Sequence, residues 1–325
     1  MTADADDTGL RDDTLLALLW CPKDHGDLSA SPTGVVCATC GATYPRIDGV
    51  LSFLDGAELD EVDRREQASR DAEASWYDSI FGTYTNLVEV PTTAARVGRP
   101  DGPILDFGAG TGRLTVHLAR TCGRPVVAVD YSLGQLRRLV PRCADLPVLV
   151  VHADGRDLPL RDGAVAAAVA AEVYEHFRDA DRRRVLRELD RVLRPGASLS
   201  ISTLAFNLTY RLWRLAGNTG AKTGEHLMGG DFFYVRQTAR EFRAELEEFF
   251  DVEEVVGIRN FPVRSIAAAL DRIPGLRLGR RFEALMIARG HAVDRAWERL
   301  PISPLTGFFL LAGARRRRGA GAYRR

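Results

Sequence analysis

Two short runs in this chain have the residue types and spacing of sites that do chemistry. In the first, Ile104-Leu105-Asp106-Phe107-Gly108-Ala109-Gly110-Thr111-Gly112 sets three glycines between an apolar run and a helical stretch. Glycine turns tightly, and without a Cβ it lets a ligand approach the main chain. Asp130 follows 22 residues after Gly108, at the end of the next apolar run. That is about the ~20-residue interval at which a carboxylate accepts hydrogen bonds from ribose hydroxyls. Alone, the pair fits NAD as well as S-adenosylmethionine. The second run, Cys37-Ala38-Thr39-Cys40-Gly41, is a C-x-x-C-G knuckle with Cys21-Pro22 upstream. Zinc takes Cys sulfur, His nitrogen or carboxylate oxygen in a tetrahedron. Cys21, Cys37 and Cys40 with His25 are the expected set, Asp24 being the alternative fourth ligand; a metal-free ribbon is the plain alternative to both.

The elements that must hold these residues follow from the hydrophobic pattern. Residues 104–107, 126–129, 148–151, 165–171 and 198–203 read as strands. Residues 114–120, 133–140 and 181–193 read as helices, the last with Val185, Leu186, Leu189, Val192 and Leu193 on one face and a stop at Pro195-Gly196. Such alternation means a parallel sheet with helices on both faces, a doubly wound α/β fold. Residues 240–250 read as a helix, 252–258 and 307–312 as strands. The organisation expected is a disordered tail (1–13), a small cysteine-bearing domain (14–55) and a helical linker or lid (56–99). The main domain (100–314) follows, with insertions at 204–238 and 261–303, and then a basic tail (315–325). Insertions of that length are functional elements such as lids more often than plain loops.

Bulk properties narrow the class. The 325 residues are enough for one full core and a smaller unit, and 46% hydrophobic content supports a packed interior. Lys+Arg and Asp+Glu both number 44, which argues against holding nucleic acid by bulk charge. No run reaches the roughly 18 apolar residues of a membrane span, and the acidic N-terminus has the wrong sign for a secretory leader. The expectation is a cytoplasmic protein without a transmembrane segment, whose cysteines are ligands or free thiols.

The order of motifs resembles the class I S-adenosylmethionine-dependent methyltransferases. Its glycine pattern is G-x-G-x-G after an acid, here Asp106. Asp154 then ends the third strand in Val151-His152-Ala153-Asp154, ahead of Leu158-Pro159-Leu160. Glu172-Val173-Tyr174-Glu175-His176-Phe177 is similar to the E-V-L-E-H segment after strand four, and Leu186–Gly196 to the next helix and turn. The match covers about residues 100–205. The family's usual Phe-Asp at the start of strand four is Val165-Ala166 here, which bears on local packing. The resemblance implies a Rossmann-like core that binds S-adenosylmethionine through Asp106, Gly108, Ala109, Gly110, Gly112, Asp130, Tyr131, Asp154 and Glu172. In that reading the loop N–H groups lie along the methionine part and Asp106 near its ammonium. Asp130 takes the ribose, Tyr131 packs on the adenine, and Asp154 meets its amino group. A doubly wound domain binding another nucleotide, or none, is the bland alternative. The cysteine segment resembles zinc-ribbon modules fused to bacterial methyltransferases and the small activator subunits of eukaryotic ones.

For the acceptor, the enzyme must align it with the methyl donor, exclude water and in some cases remove a proton. His226, His176 and Tyr234 are the candidate catalytic residues, His226 first as general base, with Glu175 beside them. A small or lipid-like acceptor methylated at oxygen is the favoured expectation, since long insertions suit enclosure. An RNA (rRNA guanine-type) methyltransferase is the second reading, because bacterial enzymes of that class combine ribbon and core. A non-catalytic partner-binding protein is the third.

Overall fold

The computed structural model describes residues 14–54, 61–74, 83–215, 222–227, 230–261, 263–272 and 278–319. The expected tail 1–13, the aromatic residues Trp76, Tyr77 and Phe81, and the final Arg324 and Arg325 lie outside the described residues. Four short antiparallel strands come first: β1 (Leu28–Ser31), β2 (Gly34–Cys37), β3 (Thr43–Ile47) and β4 (Val50–Ser52). Helices α1 (Glu61–Glu73) and α2 (Thr83–Ala95) follow.

Then the alternation begins. β5 (Ile104–Phe107), α3 (Arg113–Cys122), β6 (Val126–Asp130), α4 (Leu133–Leu139), β7 (Val148–His152), β8 (Val165–Ala170), α5 (Asp179–Val192) and β9 (Leu193–Leu204) succeed one another. The strands are rich in Val, Ile and Ala and buried on both faces, as a parallel sheet covered by helices requires. α3 ends at Gly123, whose φ of 61° is the left-handed cap glycine allows. α5 carries Asp179 and Asp181 in its first turn and Arg191 in its last, each opposing the helix dipole. α5 ends at Val192, ahead of the expected stop at Pro195-Gly196, and those two residues lie inside β9. Pairing with β8 slips between Val165 and Ala167, and Gly196 takes φ 80°. The strand absorbs the extra residues as an irregularity.

The remaining elements are α6 (Leu208–Leu215), the hairpin β10 (Thr223–Leu227) and β11 (Gly230–Val235), α7 (Ala239–Glu247), β12 (Phe250–Ile258), α8 (Val263–Leu270), α9 (Leu278–Glu298) and β13 (Phe309–Arg316). Thr238 and Glu241 form a reciprocal capping box at the start of α7. Both expected insertions thus carry regular structure. α9 packs on α2, with Tyr84 Oη donating to Asp294 Oδ2 at 3.3 Å, and Tyr84, Val88, Val263 and Met286 share a small core. On α9, Met286 is buried while Leu285 is exposed.

One sheet of eleven strands runs β1-β2-β3-β4-β7-β6-β5-β8-β9-β13-β12. From β4 to β9 neighbouring strands are parallel. Strand order reverses between β5 and β8, which opens a crevice at their carboxyl ends. The cysteine-bearing segment, the small domain expected at 14–55, extends this sheet: β4 pairs in parallel with β7, Leu51 opposite Val151. Leu15, Leu19, Tyr44 and Leu51 belong to the same core as Phe107, Leu158 and Leu186. The basic tail also begins later than expected. Arg315 and Arg316 are in β13, and Arg315, Arg316 and Arg317 pair with Glu253, Asp190 and Asp251.

A shared core predicts shared stability. Leu51→Ala should destabilise the chain by about 2–5 kcal/mol. Fluorescence of Trp20 in a variant whose other three tryptophans are replaced by Phe, which reports on the ribbon, and far-UV circular dichroism, which reports on the whole chain, should give one coincident denaturation curve. Separate transitions would contradict a common core.

Candidate active site

The glycine loop between β5 and α3 lies at the crevice, and its glycines meet real steric demands. Gly108, Gly110 and Gly112 have φ of 75°, 54° and 88°. A Cβ at Gly112 would lie 2.1 Å from Leu139 Cδ1, and one at Gly108 2.6 Å from Val173 Cβ. The loop is held from beneath. Gly108 and Ala109 N–H both donate to Val129 O, at 2.9 and 3.0 Å, and Gly112 N–H donates to Ala109 O at 2.9 Å. Gly110 N–H donates to Asp130 Oδ2 at 2.8 Å, while Ser132 N–H donates to Asp130 Oδ1 at 2.8 Å. The expectation that these N–H groups face a ligand is therefore corrected: four of them hold the loop's own shape. The glycines serve close approach.

Asp130 joins the loop to the start of α4, with oxygen lone pairs beyond those two bonds to offer a ligand. Burial raises its pKa, opposed by those N–H groups and by Arg70 of α1. Asp106 lies under the loop, 1% exposed, and accepts from Thr115 Oγ1 at 2.6 Å. Burial pushes it up to about 6, and its position is that of a buttress. Asp154, at the end of the β7 connection, is gripped by Arg156 through Nε at 2.8 Å and Nη2 at 2.7 Å. Tyr131 O accepts from Gln67 Nε2 at 3.1 Å, and His152 Nε2 lies 3.2 Å from it.

Glu172, directly after the β8 strand region, stands in a ring of charges. Its oxygens lie 3.6 Å from Arg113 Nη2 and 3.4 Å from Arg259 Nη1. Buried Glu89 of α2 lies 3.5 and 3.8 Å from the same two nitrogens. Burial and the adjoining Glu89 carboxyl push Glu172 well above the usual carboxylate range. Glu172 and Arg259 both have positive φ, 56° and 55°, a cost that side chains accept where position matters. Sequence reading missed Glu89, Arg113 and Arg259; the one local hint was Arg113 directly after the glycines.

The candidate catalytic residues are placed unevenly. His176 sits in the short turn after β8, its Nδ1 2.8 Å from Phe233 O, so that nitrogen carries the proton and donates. Burial, with Arg70 second, drives its pKa well below the ordinary 6.5. Tyr234 is packed in a core with Leu204, Ile258, Phe309 and Leu311. His226 is in β10, paired opposite Asp231, and its side chain lies outside what the structure describes. Above the crevice, α1 closes onto the start of α4: Asp71 Oδ1 accepts from Ser132 Oγ and from Gly134 N–H at 2.5 and 2.8 Å.

In the cysteine cluster it is Asp24, the alternative fourth ligand, that lies with the three thiols. Cys21, Asp24, Cys37 and Cys40 bring ligand atoms within 4.8 Å of one another. His25 instead stacks on Trp20, ring centroids 3.8 Å apart, with φ 59° turning it away. Three thiols and a carboxylate suit zinc, and Thr39 and Cys40 N–H donate to Cys37 Sγ at 3.4 Å as a thiolate requires. Cys122 and Cys143 are free thiols.

Residues 104–196 match a family described as a methyltransferase domain. Among curated relatives, a demethylmenaquinone methyltransferase of Corynebacterium urealyticum is 39% identical over 103 residues, 32% of this chain and 42% of its own length. An O-methyltransferase (resE) of Aspergillus sclerotiorum is 33% identical over 108 residues, 32% of this chain and 40% of its own. The chain thus spans about two-fifths of the length of these relatives. A solved complex of the Haloferax volcanii Trm112 methyltransferase activator with a methyltransferase superposes with a TM-score of 0.51 at 18% identity. That match covers 80% of this chain and 99% of the other, and it speaks for the fold.

The ligand set yields a direct expectation. Purified protein should carry about one zinc per chain by metal analysis. Asp24→Ala should lose most of it and His25→Ala should keep it; the reverse pattern would restore His25 as the ligand.

Proposed function

We propose that this chain, whose core is a class I methyltransferase domain, transfers a methyl group from S-adenosylmethionine to a small or lipid-like organic acceptor, at oxygen. The observation that carries the reading is the junction of Gly110 and Asp130, a glycine loop locked to a carboxylate at the switch point of the sheet. When bound, S-adenosylmethionine supplies a methyl already activated on a sulfonium. The chain must then bind, align, exclude water and accept a proton.

Its residues divide those tasks. Asp130 would take the ribose hydroxyls, Tyr131 the adenine face and Asp154, held by Arg156, the adenine amino group. The loop and Glu172 would lie against the methionine end, with Asp106 supporting the loop from below. α1 and the β10–β11 hairpin cover the crevice. His176, neutral and protonated on Nδ1 through its bond to Phe233 O, has its basic lone pair on Nε2 and would receive the acceptor's proton.

The acceptor class rests on two supports. The relatives' names give demethylmenaquinone and O-methyl transfer. Of the C-terminal arginines that the RNA reading invokes, Arg315, Arg316 and Arg317 are paired with carboxylates. Among the described residues no helix is long and apolar enough to cross a membrane.

Labelled methyl from S-adenosylmethionine, supplied to an extract of the source organism lacking this gene, should appear in the organic-soluble fraction. Label in RNA would overturn the acceptor class. Asp130→Ala should weaken S-adenosylmethionine binding about tenfold or more, the loss of charge-assisted bonds, as titration calorimetry would show.

His176→Ala should lower kcat about 100-fold or more. A base must be neutral to accept a proton, and burial lowers the pKa of His176. Activity should therefore persist as pH falls through 6.5 and be lost only well below it; a limb centred at 6.5 or above would exclude His176.

A further inference from the structure

By the β10–β11 hairpin, against the turn that follows β8, a buried guanidinium and a buried carboxyl influence one another without an ion pair. Arg236, 4% exposed, lies just past β11. Its guanidinium carbon is 4.3 Å from the ring centroid of Tyr210, 5.6 Å from that of Phe308 and 5.7 Å from that of Tyr234. Its Nε and Nη1 have no hydrogen-bond partner, and burial lowers its pKa. Glu175, 2% exposed, leaves Oε2 without a partner, and burial pushes it up to about 8. Each feels the other's charge, yet among the described residues no ion pair within 4.0 Å joins them.

Other arginines make the contrast. Arg96 and Arg316 also have an Nε without a hydrogen bond, but carboxylates of Glu254 and Asp190 lie 2.9 and 3.4 Å away. Arg113 and Arg259 are answered by Glu89 and Glu172. Among the described residues Arg236 has aromatic faces where a counter-ion would be, with Tyr210 as its hydrogen-bonding neighbour. A buried guanidinium with unmet donors is costly to keep unless a ligand supplies the anion. Aromatic walls leave it weakly hydrated and ready for a charge-assisted bond.

We propose that Arg236 and Glu175 are the receptor for an anionic group of the acceptor, a carboxylate or comparable oxyanion. Arg236 provides charge and N–H donors, and Glu175, as a neutral acid, donates its O–H to the same group. The groups facing Glu175 are Arg70 from α1, Glu89 from α2 and Arg236 itself. His176 is the next residue in the same turn, so an acceptor anchored this way brings a neighbouring hydroxyl to the base. The inference rests on the methyl-transfer reading for what the anion is attached to, and makes the acceptor an organic acid.

Salicylate, a hydroxyl beside a carboxylate, and salicylamide, its neutral counterpart, are the probes. They would be titrated calorimetrically into the full chain saturated with S-adenosylhomocysteine. Salicylate should bind about tenfold tighter or more, the scale of a charge-assisted hydrogen bond. Arg236→Gln should abolish the preference and Arg236→Lys keep part of it. Above about pH 8 Glu175 ionises, neutralises Arg236 and repels the anion. Wild-type affinity for salicylate should accordingly fall there, and Glu175→Gln should flatten that fall.

No salicylate binding, equal binding of both probes, or an unchanged preference in Arg236→Gln would each overturn the proposal. The wild-type comparison of the two probes stands even if a variant fails to fold. S-adenosylhomocysteine binding is read in the same titrations. Its failure sinks the methyl-transfer reading, whereas its success with no salicylate preference sinks this inference alone.

Discussion

The Asp130 carboxylate, receiving one N–H from Gly110 and one from Ser132, is the contact on which the crevice depends. It fixes the glycine loop to the beginning of α4, against which Ala109 and Gly112 also pack through Leu136 and Leu139. Once that junction is made, the loop's other N–H groups close on Val129 and Ala109, and the glycines need only stay small. α1 then has a rigid target: Asp71 bonds to Ser132 and Gly134 at the same helix start, and Gln67 to Tyr131 O. A carboxylate, not an amide, suits the centre, because charge-assisted bonds to N–H groups are shorter and about twice as strong as neutral ones.

The ring of Glu89, Arg113, Glu172 and Arg259 does for the cap what Asp130 does for the loop. It links α2, the first residue of α3, the end of β8 and the end of β12. Buried ion pairs seldom add much net stability, since desolvation offsets attraction. Their value is positional: removing one member strands the other charges, so α2 has one well-defined seat. Positive φ at both Glu172 and Arg259 fits this, because the backbone bears strain in order to aim those side chains.

How much of this was legible follows from how local each constraint is. Asp106, the three glycines and Asp130 are readable because a tight turn and a carboxylate at fixed spacing leave little choice of residue. The strands β5 to β8 are readable because burial on both faces forces continuous apolar runs. The ring is not, because Glu89 and Arg259 are 170 residues apart and each looks like an ordinary surface charge. The choice of Asp24 over His25 was also hidden. Adjacent residues point apart, and which one faces the thiols depends on a left-handed turn at His25 and its stacking on Trp20. The ribbon could be named from its cysteines, but not its pairing with β7, since strand partners at that separation leave no periodic trace.

That pairing explains why the ribbon belongs to the site and not merely to the chain. β4 covers the edge of β7, which would otherwise offer unpaired backbone groups. Its last residue, Ser52, meets His152 Nδ1 at 2.9 Å, and His152 Nε2 lies 3.1 Å from Gln67 and 3.2 Å from Tyr131 O. Burial keeps this imidazole's pKa down. A neutral ring has one donor and one acceptor nitrogen. Ser52 Oγ stands at Nδ1, and Gln67 Nε2 and the Tyr131 carbonyl stand at Nε2, so both ring nitrogens are engaged. The ribbon strand, the lid helix and the residue after Asp130 therefore share one buried imidazole. A shift of β4 would be felt two bonds later at the floor of the crevice, which makes the cysteine module part of how that floor keeps its shape.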